Sequence, residues 1–283
     1  MKTIKLGVLS VSIISIVLCI IGFFLMSCDK QQKEIEVISS IDYDYVGRYH
    51  NIGLNELLGK LDKTRSELGV INMREIPPKQ RNEIIKDFAV EFVKEQDVPQ
   101  EVIDFTEVHL DKTLIIEENL DRVYVGAKDI FPIDFDKEKS DLLTSKLEIL
   151  NDIISDDDLD INSLLSRIIA LENSSLSGLS DEDANVLFCA TATAKYSLQY
   201  WHENIDEWAE LCGAPTRAGG SFNWKQVGKE DIKGGIAAAV GLGFTCLLGP
   251  IGWKAWLLGI SGGALGNSAA DAVGQLIDIY LPD

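Results

Sequence analysis

Apolar residues recur at helical spacing along most of the chain. Leucines recur at helical spacing from Gly53 to Leu68, and a second such pattern opens at Pro77 and Pro78. A third follows Pro99, and a fourth follows a predicted loop at residues 131–140. This spacing places the apolar side chains of each segment on one helix face. It predicts an all-α helical bundle. Residues 113–127 contain several β-branched residues and could form a short strand, but a single pair of strands is not enough to form a stable fold.

The longest helical pattern follows residues 171–180, whose serines and glycine predict a linker. Ser180 and Asp183 have the spacing of a capping box. The apolar seam beyond them alternates spacings of four and three, through Ala194, Leu198, Trp201, Ile205, Trp208 and Cys212. We therefore expect one continuous, long central helix. Cys189 and Cys212 would lie about 35 Å apart on it, too far for a disulfide.

The C-terminal pattern changes from leucine to glycine and alanine. Residues 234–253 carry no charge, and a predicted helix breaker at residues 249–252 separates two helical segments. Small residues stand four apart on each segment. The first has one such face, with Gly235, Ala239 and Gly243, and the second has two, one with Ala255, Gly259 and Gly263 and the next with Gly262, Gly266, Ala270 and Gly274. Each interior glycine costs a helix about 1 kcal/mol relative to alanine, so these faces need close packing. The pattern predicts a glycine-zipper helical hairpin.

Two interpretations of this hairpin remain open. It either packs within the protein's own helical body or inserts into a bilayer, as the glycine-rich parts of some bacteriocins do. Lys254, Asp271 and Asp278 interrupt the second segment and disfavour a clean membrane span. The packed hairpin is the favoured interpretation.

The N-terminus has the layout of an export signal. Lys2 and Lys5 precede an uncharged apolar run from Leu6 to Met26. The run is long enough to be an uncleaved transmembrane anchor, which is the alternative interpretation. Its ending, Leu-Met-Ser-Cys at residues 25–28, resembles a bacterial lipobox. The resemblance implies that Cys28 is acylated, for instance with palmitate, and becomes the first residue of the mature protein.

These patterns predict five regions: a lipoprotein signal peptide at 1–27, a tether at 28–40, an N-terminal helical region at 41–172, a linker and long helix at 173–222, and the glycine-rich hairpin at 223–283. The predicted location is the cell envelope, as a membrane-anchored lipoprotein, in the outer membrane if the cell is Gram-negative. The partner implied is the membrane, reached through the N-terminal lipid.

Charge narrows the possible partners. The 283 residues include 26 basic and 45 acidic side chains, a formal net charge of −19. Loss of the signal removes two lysines and no acid, which leaves −21. A body this acidic is a poor nucleic-acid binder, and its attachment to a membrane should rest on the lipid rather than on charge. An unidentified protein partner remains open.

The sequence offers few candidate catalytic or metal-binding residues. His50, His109 and His202 are the only histidines, and none has metal-ligand spacing. His202, beside Glu203 and near Asp206, is the candidate general acid or base. No nucleophile elbow, phosphate-binding loop or zinc cysteine pair occurs, so no cofactor or metal is predicted.

The acidic residues 155–162 (SDDDLDIN) alternate like calcium ligands but do not fit an EF-hand. Ile161 stands where a glycine must turn the loop, and Arg167 stands where a bidentate glutamate must close it. The same residues predict the end of one helix and the capped start of the next.

Three separated segments carry a further resemblance: residues 43–58 (YDYVGRYHNIGLNELL), 194–201 (AKYSLQYW) and 223–241 (NWKQVGKEDIKGGIAAAVG). Together they resemble an uncharacterised family of exported, mostly helical bacterial proteins, which implies no activity. Within the first segment, Asn51 is predicted to cap the first helix and His50 to be a satisfied buried polar group.

The function expected from the sequence is that of a lipid-anchored envelope protein of binding or structural type, not an enzyme. One alternative is a membrane-active, bacteriocin-like protein that acts through the hairpin. Another is an envelope hydrolase that uses His202.

Overall fold

The computed structural model describes residues 41–114, 140–175, 177–214, 223–242 and 252–278. The chain divides into two units, Met1–Asp42 and Tyr43–Asp283. Nearly all of the first unit, including the predicted signal, tether and Cys28, lies outside the described residues. In the described part of the chain, all regular structure is helical and no strand occurs, so the prediction of an all-α fold is confirmed. The short strand considered at residues 113–127 falls almost wholly outside this part.

Eight α-helices make up the described body of the second unit. They are α1 (Asp44–Leu68), α2 (Pro78–Lys94), α3 (Gln100–Leu114), α4 (Asp141–Ser155), α5 (Ile161–Ser174), α6 (Asp181–Cys212), α7 (Trp224–Leu242) and α8 (Gly252–Asp278). A short 3₁₀ helix, Met73–Glu75, connects α1 to α2. Among these helices, none combines the length and apolarity of a membrane span.

Side-chain caps begin three of the helices. Ser140, Asp160 and Ser180 each accept a hydrogen bond from the backbone N–H three residues later, which satisfies a donor that has no partner inside the helix. The cap at Asp160 confirms the prediction that residues 155–162 join two helices. Asp183 follows Ser180 as predicted, but its carboxylate also accepts from the Ser140 hydroxyl at 2.6 Å, and this ties the start of α6 to the start of α4.

Two predicted boundaries are wrong. Helix α1 begins at Asp44, so Asn51 is an interior residue rather than a cap. The glycine at position 47 does not break the helix because it lies directly against the Tyr196 ring of α6, where no larger residue would fit. The predicted linker at residues 171–180 is shorter than expected because α5 continues to Ser174.

The long helix α6 is continuous over 32 residues, as its seam predicts. It ends at Gly213, whose φ of 76° favours glycine. Every seam residue is buried except Ile205, which is half-buried, and the Trp201 and Trp208 rings lie 5.1 Å apart. Cys189 and Cys212 are free thiols on this helix, so the prediction that they do not pair is confirmed.

Helix α6 contributes to two apolar cores. One is shared chiefly with α1, α2, α3 and α8, and the other with α4, α5 and α7. Helix α8 is the most enclosed element: from Ala255 to Ile277 every residue is buried except Asn267 and Gly274. Helices α1, α2, α3, α6 and α7 all contact it. The bundle is thus built around two helices rather than around α6 alone.

Candidate functional site

A cluster of polar side chains lies inside the bundle, where α1, α6, α7 and α8 meet. We call its members the buried polar cluster: His50, Ser197, Trp201, Asp231 and Ser268. Each is completely buried. Ser197 and Trp201 lie four residues apart on α6 and therefore share a face. The other three members come one each from α1, α7 and α8, so the cluster joins four helices.

Asp231 is the centre of this cluster. One carboxylate oxygen accepts from the Ser197 hydroxyl and from Trp201 Nε1, the latter at 3.1 Å. His50 Nε2 lies 3.5 Å from the other oxygen. Trp201 Nε1 is also 3.0 Å from Ser268 Oγ, which brings α8 into the network. Burial raises the pKa of Asp231 above its ordinary value, although His50 and the hydrogen bonds from Ser197 and Trp201 oppose that shift by stabilising the ionised form.

The contacts of its two ring nitrogens favour the protonated form of His50. The Asn51 amide nitrogen donates to the Tyr196 carbonyl at 3.1 Å, so the amide oxygen is the atom that faces His50 Nδ1, 3.0 Å away. Nδ1 therefore donates to Asn51, and the Asp231 carboxylate 3.5 Å from Nε2 favours a second proton there, which gives the imidazolium. Burial alone lowers the pKa of His50, but Asp231 and the hydrogen bonds to Asp231 and Asn51 raise it above its ordinary value. His50 and Asp231 form a buried ion pair.

The cluster contains the residue types of a hydrolytic triad in a different order. In such a triad the histidine lies between serine and aspartate and takes the serine proton. Here Asp231 lies between His50 and Ser197, so the Ser197 hydroxyl donates to a carboxylate and has no imidazole beside it. None of the three side chains has exposed surface for a substrate to reach. The contacts of these three side chains hold α1, α6 and α7 together.

The three segments that carry the family resemblance converge on this cluster. The first supplies His50, the second Ser197 and Trp201, and the third Asp231. Their glycines allow the close approach: a side chain at Gly228 would lie 2.5 Å from Leu198 Cδ2. These three segments therefore meet in one packed region of the protein.

The predicted small-residue faces of α7 and α8 pack against other helices as well as against each other. The backbone contact between α7 and α8 uses Gly234, which the sequence analysis did not single out: a Cβ there would lie 2.9 Å from the Gly263 carbonyl oxygen. A Cβ on Gly263 would in turn lie 3.1 Å from Ala238 Cβ. Gly235 faces α6 instead, with Thr193 Oγ1 3.0 Å from the position of its Cβ.

The other face of α8 receives side chains of α2 and α3. At Gly262 an added Cβ would lie 2.5 Å from Val93 Cγ2 and 3.1 Å from Thr106 Cγ2, and Gly266 lies directly against Leu110. Ala239, Gly259 and Ala270 are buried and Gly274 is half-buried. Gly243 lies outside the described residues. The glycines make room for side chains from surrounding helices as well as for a partner backbone.

His202, the predicted acid or base, is exposed on α6 with its ring edge against Trp224, 5.5 Å between ring centroids. The neighbouring Glu203 accepts from Gln199 of the same helix at 2.9 Å. His109 is mostly buried beside Phe105, and burial lowers its pKa to about 4. The structure brings neither histidine to the buried polar cluster. In the described ranges, no group of three or more histidine, cysteine or acidic side chains has metal-binding geometry.

The cluster was only partly accessible to sequence analysis. His50 was expected to be a buried polar group, but Ser197, Asp231 and Ser268 were not singled out. The four-residue spacing of Ser197 and Trp201 on a buried helix face was the available signal. No protein-family model matches the chain, and no match is found among curated proteins or solved structures.

Proposed function

We propose that this protein is a lipid-anchored, exported component of the cell envelope whose helical body serves a binding or structural role. The observation that carries the proposal is the N-terminal sequence. A basic start, an uncharged apolar run and the Leu-Met-Ser-Cys ending at residues 25–28 together have the layout of a lipoprotein signal. Two or more acyl chains on Cys28 would hold an acidic body at a bilayer that its charge does not attract.

The interior of the body supports a non-enzymatic role. The residues with the chemistry for catalysis, His50, Ser197 and Asp231, have no exposed surface and bond to one another. His202 is exposed but packs against Trp224. The enclosure of α8 by five helices also supports a hairpin packed in the body over one acting in a bilayer.

Metabolic labelling with a fatty acid tests the proposal. The wild-type chain should take up label and be cleaved before Cys28, whereas Cys28→Ser should remain unlabelled and at precursor length. Cys189→Ser is the matched control, because it removes a buried thiol and should leave labelling unchanged. Label retained by Cys28→Ser, or no label on the wild-type chain, would overturn the proposal.

A further inference from the structure

Aromatic and basic side chains form a surface patch at one end of the body. Tyr45 and Tyr49 stack on α1 with 4.2 Å between ring centroids, and the Trp253 ring lies edge-on to Tyr45 at 5.8 Å. All three rings are half-buried. Ile52, one turn beyond Tyr49, leaves 45% of its surface exposed. We call these four residues the aromatic patch.

Two basic side chains border the aromatic patch. Arg48 is exposed beside Tyr45, and the exposed Lys254 places Nζ 5.5 Å from the centroid of the Trp253 ring. The nearby Asp44 carboxylate is 2.9 Å from Lys195 Nζ, which also lies 3.0 Å from Glu172 Oε1, so two carboxylates share one lysine. In a chain with 45 acidic and 26 basic residues, the aromatic patch is thus bordered by two basic side chains, with the exposed Asp42 and the half-buried Asp44 close by in the sequence. Half-buried tyrosine and tryptophan with flanking arginine and lysine is the composition of side chains at the membrane–water interface.

The position of the patch in the chain supports a membrane as its partner. Helices α1 and α8 run in the same direction, as the contacts of Tyr45 with Trp253 and of Gly53 with Leu265 require, so both begin at this end. Cys28 precedes Asp44 by 16 residues, a distance of at most roughly 55 Å when fully extended. The anchor of the proposed lipoprotein therefore joins the body at the end that carries the patch.

We infer that the aromatic patch is a membrane-contact surface, which rests on the lipid headgroup region and sets the orientation of the anchored body. This inference depends on the proposed lipid anchor, because a single patch of four residues has too little apolar area to hold an acidic body at a bilayer alone. The anchor supplies attachment, and the patch supplies orientation.

Tryptophan quenching by brominated phosphatidylcholine tests the inference on the full-length, acylated protein in vesicles. Trp201, Trp208 and Trp256 are fully buried, and Trp224 begins α7 at the opposite end of the antiparallel hairpin. Lipid brominated near the headgroup end of its acyl chains should quench about one fifth of the emission, because Trp253 is one of five tryptophans. Trp253→Phe should abolish this quenching.

Trp224→Phe is the matched control. Trp224 is also half-buried and is also followed by a lysine, with Lys225 Nζ 5.6 Å from its ring centroid, but Lys225 is buried and donates to the Asp156 carbonyl at 2.6 Å. Quenching should persist in this variant. Equal quenching in wild type and Trp253→Phe, or none in wild type, would overturn the inference.

A second pair of variants avoids any change in the aromatic packing. Ile52→Glu places a charge in the aromatic patch, and Ile169→Glu places one on α5 at a residue with matching 47% exposure. Only Ile52→Glu should reduce the quenching, with the melting temperature of both variants close to that of wild type. If Ile52→Glu instead dissociates a dimer or a protein complex while wild-type quenching is absent, the patch is a protein interface and the inference is wrong.

Vesicle flotation separates this inference from the proposed anchor. A chain that does not float with vesicles lacks the anchor, and both proposals then fail. A chain that floats and carries fatty-acid label but shows no quenching keeps the anchor and contradicts only the membrane-contact surface.

Discussion

His50 of α1 and Asp231 of α7 form an ion pair with no exposed surface, 3.5 Å between Nε2 and Oδ1. The pair connects the first helix of the body to the glycine-rich C-terminal region, 181 positions later in the chain. Two charges removed from water carry a desolvation cost, which their attraction and the bonds from Ser197 and Trp201 to Asp231 offset. Loss of either partner leaves the other charge without that compensation.

Asp231→Asn should therefore destabilise the body strongly. Breaking a buried ion pair by removing one partner typically costs about 3 to 5 kcal/mol. Urea unfolding of the mature body measures the loss. Asp152→Asn, an exposed position on α4, is the control and should change the free energy of unfolding by less than about 0.5 kcal/mol. Equal stability of the two variants would contradict the ion pair.

The contribution of His50 to the free energy of unfolding should depend on pH. The pKa of His50 is raised in the folded state, so its stabilising effect is complete below the unfolded-state pKa of about 6.5 and is lost as pH rises through the folded-state pKa. The difference in unfolding free energy between wild type and His50→Gln should thus be largest below about pH 6.5 and shrink as the pH rises through the folded-state pKa of His50. A difference that grows with pH would mean that His50 is neutral in the fold.

Gly266→Leu should destabilise the packed body. The residue lies directly against Leu110, and overpacking of this kind costs about 1 to 3 kcal/mol. Gly59→Leu is the control, because Gly59 is exposed on α1 with open space around it, and leucine there should maintain or raise stability. Thermal melting compares the two.

The same variant separates the two interpretations of the glycine-rich hairpin. If the hairpin is packed, Gly266→Leu lowers the melting temperature and liposomes have no influence. If it is membrane-active, melting is almost unchanged, while dye release from liposomes by the parent protein disappears in the variant. An effect on neither quantity would show that the four-residue spacing has no packing role.

The thiols of Cys189 and Cys212 should be unreactive in the native protein. Burial raises the pKa of Cys212 to about 12 and that of Cys189 well above its usual value, and the thiolate is the reactive form. We expect an alkylating reagent at about pH 8 to modify neither until the chain is unfolded, as peptide mapping would record. A peptide linking Cys189 to Cys212 would contradict the continuous helix α6.

Helical periodicity and capping residues were sufficient to predict the helices and the continuity of α6, because these depend on neighbours within about four positions. The sequence did not specify which helix each glycine faces: Gly235 packs on α6 and Gly262 on α2 and α3, although both were assigned to a hairpin. The start of α1 was misplaced because Gly47 needs the Tyr196 ring beside it to be tolerated within a helix. The buried polar cluster joins residues from four helices that are distant in the sequence, and no local pattern encodes their meeting.

The N-terminal peptide of the protein isolated from its native membrane tests the central claim most directly. Its mass, measured after proteolysis, should correspond to a chain that begins at Cys28 and carries covalently attached acyl chains. A chain that retains Lys2 and Lys5 ahead of an unmodified Cys28 would contradict the lipid anchor and identify residues 6–26 as an uncleaved membrane anchor instead.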